Sequence, residues 1–229
     1  MNTLAILIAC GKEEEIAPGT EAAFLTLGDT PIVAHALKTM QGTAAIDGII
    51  VAVSKSRVDA TMHLIKRYGC TKVRGVVVGG VNRLSTLRIV FSKLPEPASV
   101  VVIHEASRPF VSRNTIEETI KAAKRYGCSI AAHKLPDAVK LAPKGMKADR
   151  TVERNTAWAA QTPQTFKSDV LEKIINKLPG TAKLLDDESE FVGKSGEVHL
   201  VESGPVNMKI RTTEDLALAT ALLNANLRR

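Results

Sequence analysis

The feature that most constrains the fold of this chain is a series of short, almost wholly apolar runs rich in β-branched residues. Runs without polar alternation are typical of strands that are covered on both faces. They occur at residues 3–9, 48–54, 73–79, 99–106 and 129–135. Amphipathic stretches that favour helices lie between and after them, at 31–40, 57–69, 82–94 and 114–127. The alternation predicts an α/β fold with a doubly wound, mostly parallel, Rossmann-like sheet built from right-handed βαβ crossovers.

The length of 229 residues and the 45% hydrophobic content fit a single domain, which we expect to span residues 1–229. Residues 136–155 are polar and interrupt the rhythm, so they predict a β-arm that projects from the domain. Beyond the arm we expect helices near 166–178 and 187–194, strands at 197–203 and 207–210, and a closing helix. That helix begins with Thr212 and Asp215, which form a capping pair.

The net charge and the composition limit the kinds of molecule that the chain could bind. The formal net charge is +7, but the Lys and Arg residues are scattered, and aromatic residues make up only 3% of the chain. Scattered cations suit small phosphorylated molecules better than nucleic acid, and few aromatic rings are available to stack on bases. The first apolar run is too short to span a membrane, so we expect no membrane partner. Three widely spaced cysteines indicate neither a disulfide framework nor a zinc site, and favour a cytoplasmic location.

Ligands of such sheets bind beyond the carboxyl ends of the strands, and the candidate site residues lie there. The turn after the first run reads Ala9-Cys10-Gly11-Lys12 and continues with three glutamates. Gly11 could offer a backbone amide to a phosphate, although an ordinary tight turn also requires a glycine. The pattern GxGxxG is absent at this point, which ranks a nicotinamide dehydrogenase well below the other possibilities.

Two further strand ends carry groups suited to phosphate chemistry. The sequence GGVNRLST contains Gly79 and Gly80, followed by Arg83 and Thr86 one helical turn apart. The sequence HEASRP places a carboxylate and a guanidinium, Glu105 and Arg108, where a metal ion and a phosphate could bind. Each motif also has a purely structural explanation. Arg83 could simply be a solvated arginine after a turn, and Glu105 and Arg108 could form an ion pair that only stabilises the fold. Later in the chain, Arg154, Thr162 and Lys209 are also candidates.

Together these motifs resemble the cytidylyltransferases that join CTP to 2-C-methyl-D-erythritol 4-phosphate. The resemblance covers essentially the whole chain in the same order: GGVNRLST for GG-x-x-R-x-x-S/T, HEASRP for H-D-A-A-R-P, and ERN at 153–155 for D-R-N. TPQ at 162–164 and NMKIRTTEDLALA at 207–219 complete it. The resemblance implies a nucleotidyltransferase fold, an enzyme that uses CTP, a polyol phosphate and Mg²⁺, and a homodimer that pairs through the arm.

The resemblance also implies roles for individual residues. It gives catalytic roles to Lys209 and Arg154. Lys12 is a catalytic candidate on local grounds alone, as a substitute cation in the first turn. Glu105 corresponds to an aspartate near the phosphates and the metal ion. The residues that would contact the nucleotide are Ala9, Cys10, Gly11, Gly79, Gly80, Arg83, Thr86 and Ala106, and those that would contact the polyol phosphate are Glu105, Arg108, Arg154, Thr162 and Lys209.

The chain departs from the family pattern mainly in its first loop. Glu13, Glu15 and Ala22 stand where the family has a glycine, a catalytic arginine and a catalytic lysine, and Ala138 replaces a threonine of the arm. One carboxylate about 4 Å from a phosphate costs on the order of 4 kcal/mol at an effective dielectric constant of about 20. The sequence therefore indicates weakened binding of triphosphate.

Three hypotheses follow from this conflict. The first is transfer of CMP from CTP to methylerythritol phosphate with release of pyrophosphate. The second is a catalytically impaired paralogue that binds or regulates a partner. The third is a related transferase that uses another polyol phosphate, such as ribitol phosphate.

Overall fold

The structure is a computed structural model, and it describes residues 2–93, 98–178, 189–192 and 197–227. Its largest element is a seven-stranded sheet with the strand order β13-β9-β12-β8-β1-β6-β7. The strands are β1 Thr3–Ala9, β2 Glu15–Ala17, β3 Thr20–Glu21, β4 Thr26–Leu27, β5 Thr30–Pro31, β6 Gly48–Val53, β7 Val73–Val78, β8 Val100–Glu105, β9 Cys128–Lys134, β10 Val139–Leu141, β11 Arg150–Val152, β12 Trp158–Lys167 and β13 His199–Glu202.

Helices cover both faces of this sheet. They are α1 Ile32–Gln41, α2 Val58–Arg67, α3 Arg83–Ser92, α4 Arg113–Tyr126, α5 Ser168–Lys177, α6 Ser189–Val192 and α7 Thr213–Leu227. Short 3-10 turns occupy Lys12–Glu14, Ala22–Phe24, Lys55–Arg57 and Arg154–Thr156. The expected α/β fold with a mostly parallel sheet is therefore confirmed.

The continuous apolar character of β1 is explained by two cores, one on each face. Ile6 and Ile8 pack with the apolar residues of α3 and α5. Leu7 points the other way and packs with those of α1 and α4. Because successive side chains of a strand point to opposite faces, only an uninterrupted apolar run can fill both cores.

The sheet contains one antiparallel strand, β12, which lies between β8 and β9. This strand was not predicted: a functional motif was expected at 162–164 and a helix from about residue 166, whereas β12 extends to Lys167 and α5 begins at Ser168. The other neighbouring pairs are parallel, including β1 with both β6 and β8. Since β12 runs against its neighbours, the chain returns across the sheet and places Thr162 beside the carboxyl end of β8.

The segment at 136–155 forms the predicted arm. Its strands β10 and β11 pair antiparallel in a sheet of their own, with Val139 opposite Val152. At the start of α7, the backbone N–H of Thr212 donates to the carboxylate of Asp215, and the N–H of Asp215 donates to the Thr212 hydroxyl, at 3.0 and 3.1 Å. The arm and the capping pair are both confirmed.

Two other expectations need correction or restriction. Residues 207–210 form no strand, because they cross the ligand edge of the sheet as an irregular segment. Of the helix expected at 187–194, the structure describes only Ser189–Val192, and the remainder lies outside the described residues. Among the helices that are described, none combines the length and apolar character needed to cross a bilayer.

Candidate active site

Two sheet-edge turns and a late segment converge at the carboxyl end of β8. The turn after β1 contributes Glu14, the end of β8 contributes Glu105, and the irregular segment after β13 contributes Lys209. This segment is fixed to the turn after β8, because the N–H of Ile210 donates to the carbonyl of Ser107 at 2.9 Å. The parallel order of β1 and β8 brings these distant residues together.

Glu105 is the centre of a cluster of charged side chains. Its Oε1 lies 2.8 Å from Nζ of Lys209, and its Oε2 lies 2.8 Å from Nε of Arg108. A guanidinium nitrogen of Arg83 lies 4.0 Å from Oε1. All four side chains are at most 13% exposed, so water screens their charges only weakly. We call Glu14, Arg83, Glu105, Arg108 and Lys209 the charged cluster.

Glu14 completes the cluster, and the sequence analysis did not single it out. Its Oε1 lies 2.8 Å from Nζ of Lys209, so one ammonium contacts two carboxylates. The side chain is only 4% exposed, and its buried Oε2 makes no hydrogen bond of standard geometry within the described residues, although the hydroxyl of Ser107 is a close polar neighbour. Glu15, which stands at the position of the family's catalytic arginine, accepts from the N–H of Gly19 within the β2–β3 hairpin. The two glutamates are neighbours in sequence but point to different surroundings.

The pKa shifts agree with this geometry. Burial alone would raise the pKa of Glu105, but Lys209 and Arg108 outweigh burial and hold it well below its usual range. Burial raises the pKa of Glu14; Lys209 opposes that effect, while Glu105 adds to it. Burial would lower the pKa of Lys209, but the carboxylates of Glu105 and Glu14 outweigh burial and raise it. Glu105 is thus the firmly ionised carboxylate of the cluster, and Lys209 stays cationic.

Buried polar side chains support the cluster from behind. His104 contacts the hydroxyl of Thr162 through Nδ1 at 2.8 Å and the carbonyl of Arg108 through Nε2 at 3.1 Å. Burial lowers the pKa of His104 to about 4, so the ring is neutral at physiological pH. The guanidinium of Arg108 donates to the carbonyl of Asn207, whose amide donates to Gln161 and to the carbonyl of Thr162. These bonds fix the direction of Arg108 and the path of the chain that carries Lys209.

The turn after β7 approaches the end of β1 closely. A Cβ on Gly79 would lie 2.2 Å from Sγ of Cys10, and a Cβ on Gly80 would lie 2.2 Å from Oγ of Ser85. Thr86 is buried, and its hydroxyl accepts from the N–H of Gly80 at 3.0 Å. Both glycines of the motif are therefore required by close packing.

Arg83 is largely buried, with a side chain only 11% exposed, so it is not a solvated arginine. Its guanidinium donates to Oε1 of Gln164 at 2.8 Å, and it faces Glu105. Gln164 belongs to β12, and the sequence analysis gave it no role, although the TPQ motif could have identified it. The ion pair of Arg108 with Glu105, the other structural alternative, is present, but it belongs to a larger cluster of charges.

The remaining candidates lie at varying distances from the cluster. Ala9 and Ala106 are fully buried at strand ends, and the N–H of Ala106 donates to the carbonyl of Ile8. Lys12 is exposed and lines the same cavity as Glu14. Arg154 lies at the base of the arm, where its guanidinium approaches the carbonyl of Pro136 at 3.5 Å, and within the described part of the chain it makes no contact with the charged cluster. Its catalytic and substrate-binding roles stay predictions.

The cavity beside the cluster is small. It has a volume of about 70 Å³ and is lined by residues of the first turn, of the turn after β7, and by Glu105. Pockets for small-molecule ligands typically measure about 300–1,000 Å³. Gly11, at a φ of 104°, opens the first turn. This cavity is therefore smaller than a typical ligand pocket.

The charged cluster does not fit a metal site as it lies. Both oxygens of Glu105 already accept from cations, and three cationic side chains surround it. Among the residues described, no group of three or more His, Cys, Asp or Glu could hold a metal ion. Mg²⁺ prefers oxygen ligands with free lone pairs. The metal role of Glu105 stays a prediction of the resemblance.

Comparison with known proteins identifies the kind of protein first. The fold matches the crystal structure of a 4-diphosphocytidyl-2C-methyl-D-erythritol synthase from Anaerococcus prevotii with a TM-score of 0.85 and 26% identity, over 97% of this chain and 98% of that one. A 2-C-methyl-D-erythritol 4-phosphate cytidylyltransferase from Thermus thermophilus matches with a TM-score of 0.76 and 25% identity, over 96% and 98% of the two chains. The fold and the phosphate-suited ligand edge are thus those of a nucleotidyltransferase.

Sequence comparison then gives the family. The model of the 2-C-methyl-D-erythritol 4-phosphate cytidylyltransferase (IspD) family matches residues 3–225, and this chain belongs to that family. A member from Shouchella clausii is 33% identical over 224 residues, which are 97% of each chain. A member from Alkaliphilus oremlandii is 31% identical over 224 residues, which are 97% of this chain and 95% of its own.

Proposed function

We propose that this chain transfers CMP from CTP to 2-C-methyl-D-erythritol 4-phosphate and releases pyrophosphate, a step that supplies isoprenoid precursors. The observation that supports the proposal is the convergence of Arg83, Arg108 and Lys209 at the carboxyl end of β8. In a chain of this family, such a group of buried cations is suited to two reacting phosphates.

The chemistry requires little from the protein besides position and charge. A phosphate oxygen of the polyol phosphate attacks the α-phosphorus of CTP in line; the bond to the bridging oxygen of the β-phosphate breaks, and pyrophosphate leaves with the electron pair. Lys209 and Arg108 stabilise the negative charge on the reacting phosphates. Glu105 keeps both cations in place through contacts of 2.8 Å. It acts as a positioning residue for them.

A pyrophosphate-release assay with CTP, methylerythritol phosphate and Mg²⁺ tests the proposal. The wild-type chain should release pyrophosphate only when both substrates are present. Lys209→Ala should lower kcat/KM at least about 100-fold, because it removes a charge that faces the transition state. Lys173→Ala is the matched control, since Lys173 is 68% exposed on α5 and pairs only with Asp169 within the described residues.

The same assay decides between this function and the alternatives. Absence of turnover by pure, folded protein would refute the proposal and leave the impaired paralogue. Faster turnover with ribitol phosphate would instead identify a transferase for another polyol phosphate. Membership of the family favours neither alternative.

Two further features belong to the proposal. We infer that the chain forms a homodimer through the arm, because β10 and β11 pair with each other and leave the hairpin exposed. We also infer a cytoplasmic location, which rests on the number and spacing of its cysteines.

A further inference from the structure

Lys209 contacts both carboxylates of the charged cluster. Its ammonium contacts Oε1 of Glu105 and Oε1 of Glu14, each at 2.8 Å, and its side chain is 11% exposed. Glu105 also binds Arg108, so a second cation holds it in place beside Lys209. Glu14 contacts no second cation within the described residues: its buried Oε2 makes no hydrogen bond of standard geometry there, and its remaining polar neighbour is the hydroxyl of Ser107.

We propose that Glu14 acts as an internal competitor for phosphate at Lys209. Its carboxylate takes the place on Lys209 that a phosphate oxygen of the ligand would take. A ligand phosphate therefore binds Lys209 only when the turn Lys12–Glu14 moves away. The inference rests on the proposed function, in which Lys209 faces a reacting phosphate.

Charge explains why a phosphate and Glu14 do not share Lys209. The cluster holds three cations and two carboxylates, so it carries a net charge of only +1 when both acids are ionised. When Glu14 leaves Lys209, Glu105 is the one carboxylate within the described residues that still contacts the ammonium, and a ligand anion can take the vacated contact. Glu105 and Glu14 already bring two carboxylates onto one buried ammonium, and a phosphate would be a third anion there. Water screens the repulsion among the three only weakly.

The backbone allows the turn to move. Lys12–Glu14 is a single 3-10 turn, closed by the N–H of Glu14, which donates to the carbonyl of Gly11 at 3.0 Å. Gly11 has a φ of 104°, and open space surrounds its α-carbon on the side where a side chain would lie. The cavity lined by this turn measures about 70 Å³, and outward movement of the turn enlarges it.

Calorimetric titration with pyrophosphate tests the inference without requiring catalysis. The Glu14→Gln variant keeps the shape of the side chain but removes its charge, and it should bind pyrophosphate at least tenfold more tightly than the wild type. Glu15→Gln is the matched control, because Glu15 accepts from the N–H of Gly19 rather than from Lys209. It should change the dissociation constant less than threefold. Equal gains in both variants, or no gain in Glu14→Gln, would overturn the proposal.

Two controls separate competition at Lys209 from a general change in the loop. In the Lys209→Met background, adding Glu14→Gln should change pyrophosphate binding less than threefold, because the contested ammonium is gone. Cytidine, which has no phosphate, should bind the wild type and Glu14→Gln with dissociation constants that agree within threefold. A tenfold gain for pyrophosphate in the Lys209→Met background, or an equal gain for cytidine, would contradict the competitor role.

A crystal structure of the wild type with pyrophosphate covers the case in which the variants do not fold. Glu14 should lie more than 4 Å from Nζ of Lys209, and a phosphate oxygen should take its place. A phosphate on Lys209 with Glu14 still at 2.8 Å would overturn the inference. The two proposals fail separately: a tenfold gain in Glu14→Gln without turnover by the wild type refutes only the proposed function, and turnover without that gain refutes only the competitor role.

Discussion

Cys10 lies at the end of β1, in the first turn and against Gly79, and its thiol has an unusual environment. Burial raises its pKa from 9.0 to about 11, and the charges of Glu14 and Glu21 add to this effect. The folded chain therefore keeps the thiol proton at pH values at which the unfolded chain loses it. Stability from this source is complete below pH 9 and is lost as the pH rises toward 11.

This shift predicts the alkaline stability of the chain. Between pH 8 and 10.5 the wild type should lose about 2 kcal/mol more unfolding free energy than Cys10→Ala. Urea unfolding of both chains in reducing buffer measures the difference. Lysine and tyrosine residues titrate in both proteins, so their effects cancel in the difference. The cavity left by the alanine lowers the free energy of unfolding by the same amount at every pH and does not change its dependence on pH. Parallel curves for the two chains would show that the Cys10 thiol does not titrate in this range.

At the residue scale, motifs were predictable and contacts within loops were not. Glu105, Arg108 and Lys209 follow from their places at a strand end and in an ordered series of motifs, and the structure brings them within 2.8 Å contacts. Glu14 could not be separated from its neighbouring glutamates by sequence, because a single 3-10 turn decides which carboxylate points inward. A turn of three residues is too short to show a periodic pattern of apolar and polar residues, so the sequence does not indicate which side chain is buried.

At the scale of elements, the start of α7 offers a test that is separate from the charged cluster. The Thr212 hydroxyl accepts from the N–H of Asp215 at 3.1 Å and so satisfies a backbone donor that has no partner within the helix. Thr212→Ala should lower the free energy of unfolding by about 1 kcal/mol. Urea denaturation gives the value.

Thr213→Ala provides the matched control for this helix cap. Thr213 is exposed, and its hydroxyl contacts only the carboxylate of Glu214 among the described residues, at 3.2 Å. This variant should change stability by less than about 0.5 kcal/mol. If the two alanine variants were equally stable, the Thr212 cap would have no energetic role.

Local signals explain which elements could be predicted. Gly69 and Gly127 follow a tyrosine at the ends of α2 and α4, and their φ values of 60° and 94° suit a glycine that ends a helix. The strand β12 could not be found in this way, because residues 158–167 contain polar residues and a proline. Pairing on both edges, with β8 and β9, overrides that weak local preference.

At the scale of the whole molecule, the alternation of strands and helices was sufficient to predict the doubly wound plan. The two buried cores on opposite faces of β1 are the physical counterpart of its unbroken apolar run. The full strand order could not be predicted, because β12 follows the arm in sequence but inserts antiparallel between β8 and β9. Its position depends on contacts between residues about 60 apart in sequence, such as Glu105 and Thr162.

The arm carries the last prediction, which concerns assembly. Met146, near the tip of the hairpin, is fully exposed, and Val139 and Leu141 on β10 are only partly covered. Light scattering at micromolar concentration should therefore give twice the 24.6 kDa mass of one chain.

Shortening the arm, by joining Leu141 to Arg150 through an Asn-Gly turn, should give the single-chain mass because the apolar tip is removed. Met62→Ser changes an exposed methionine on α2, outside the arm, and should leave the dimer intact. A wild-type chain that is monomeric under these conditions would refute pairing through the arm, and a shortened chain that still dimerises would place the interface elsewhere on the molecule.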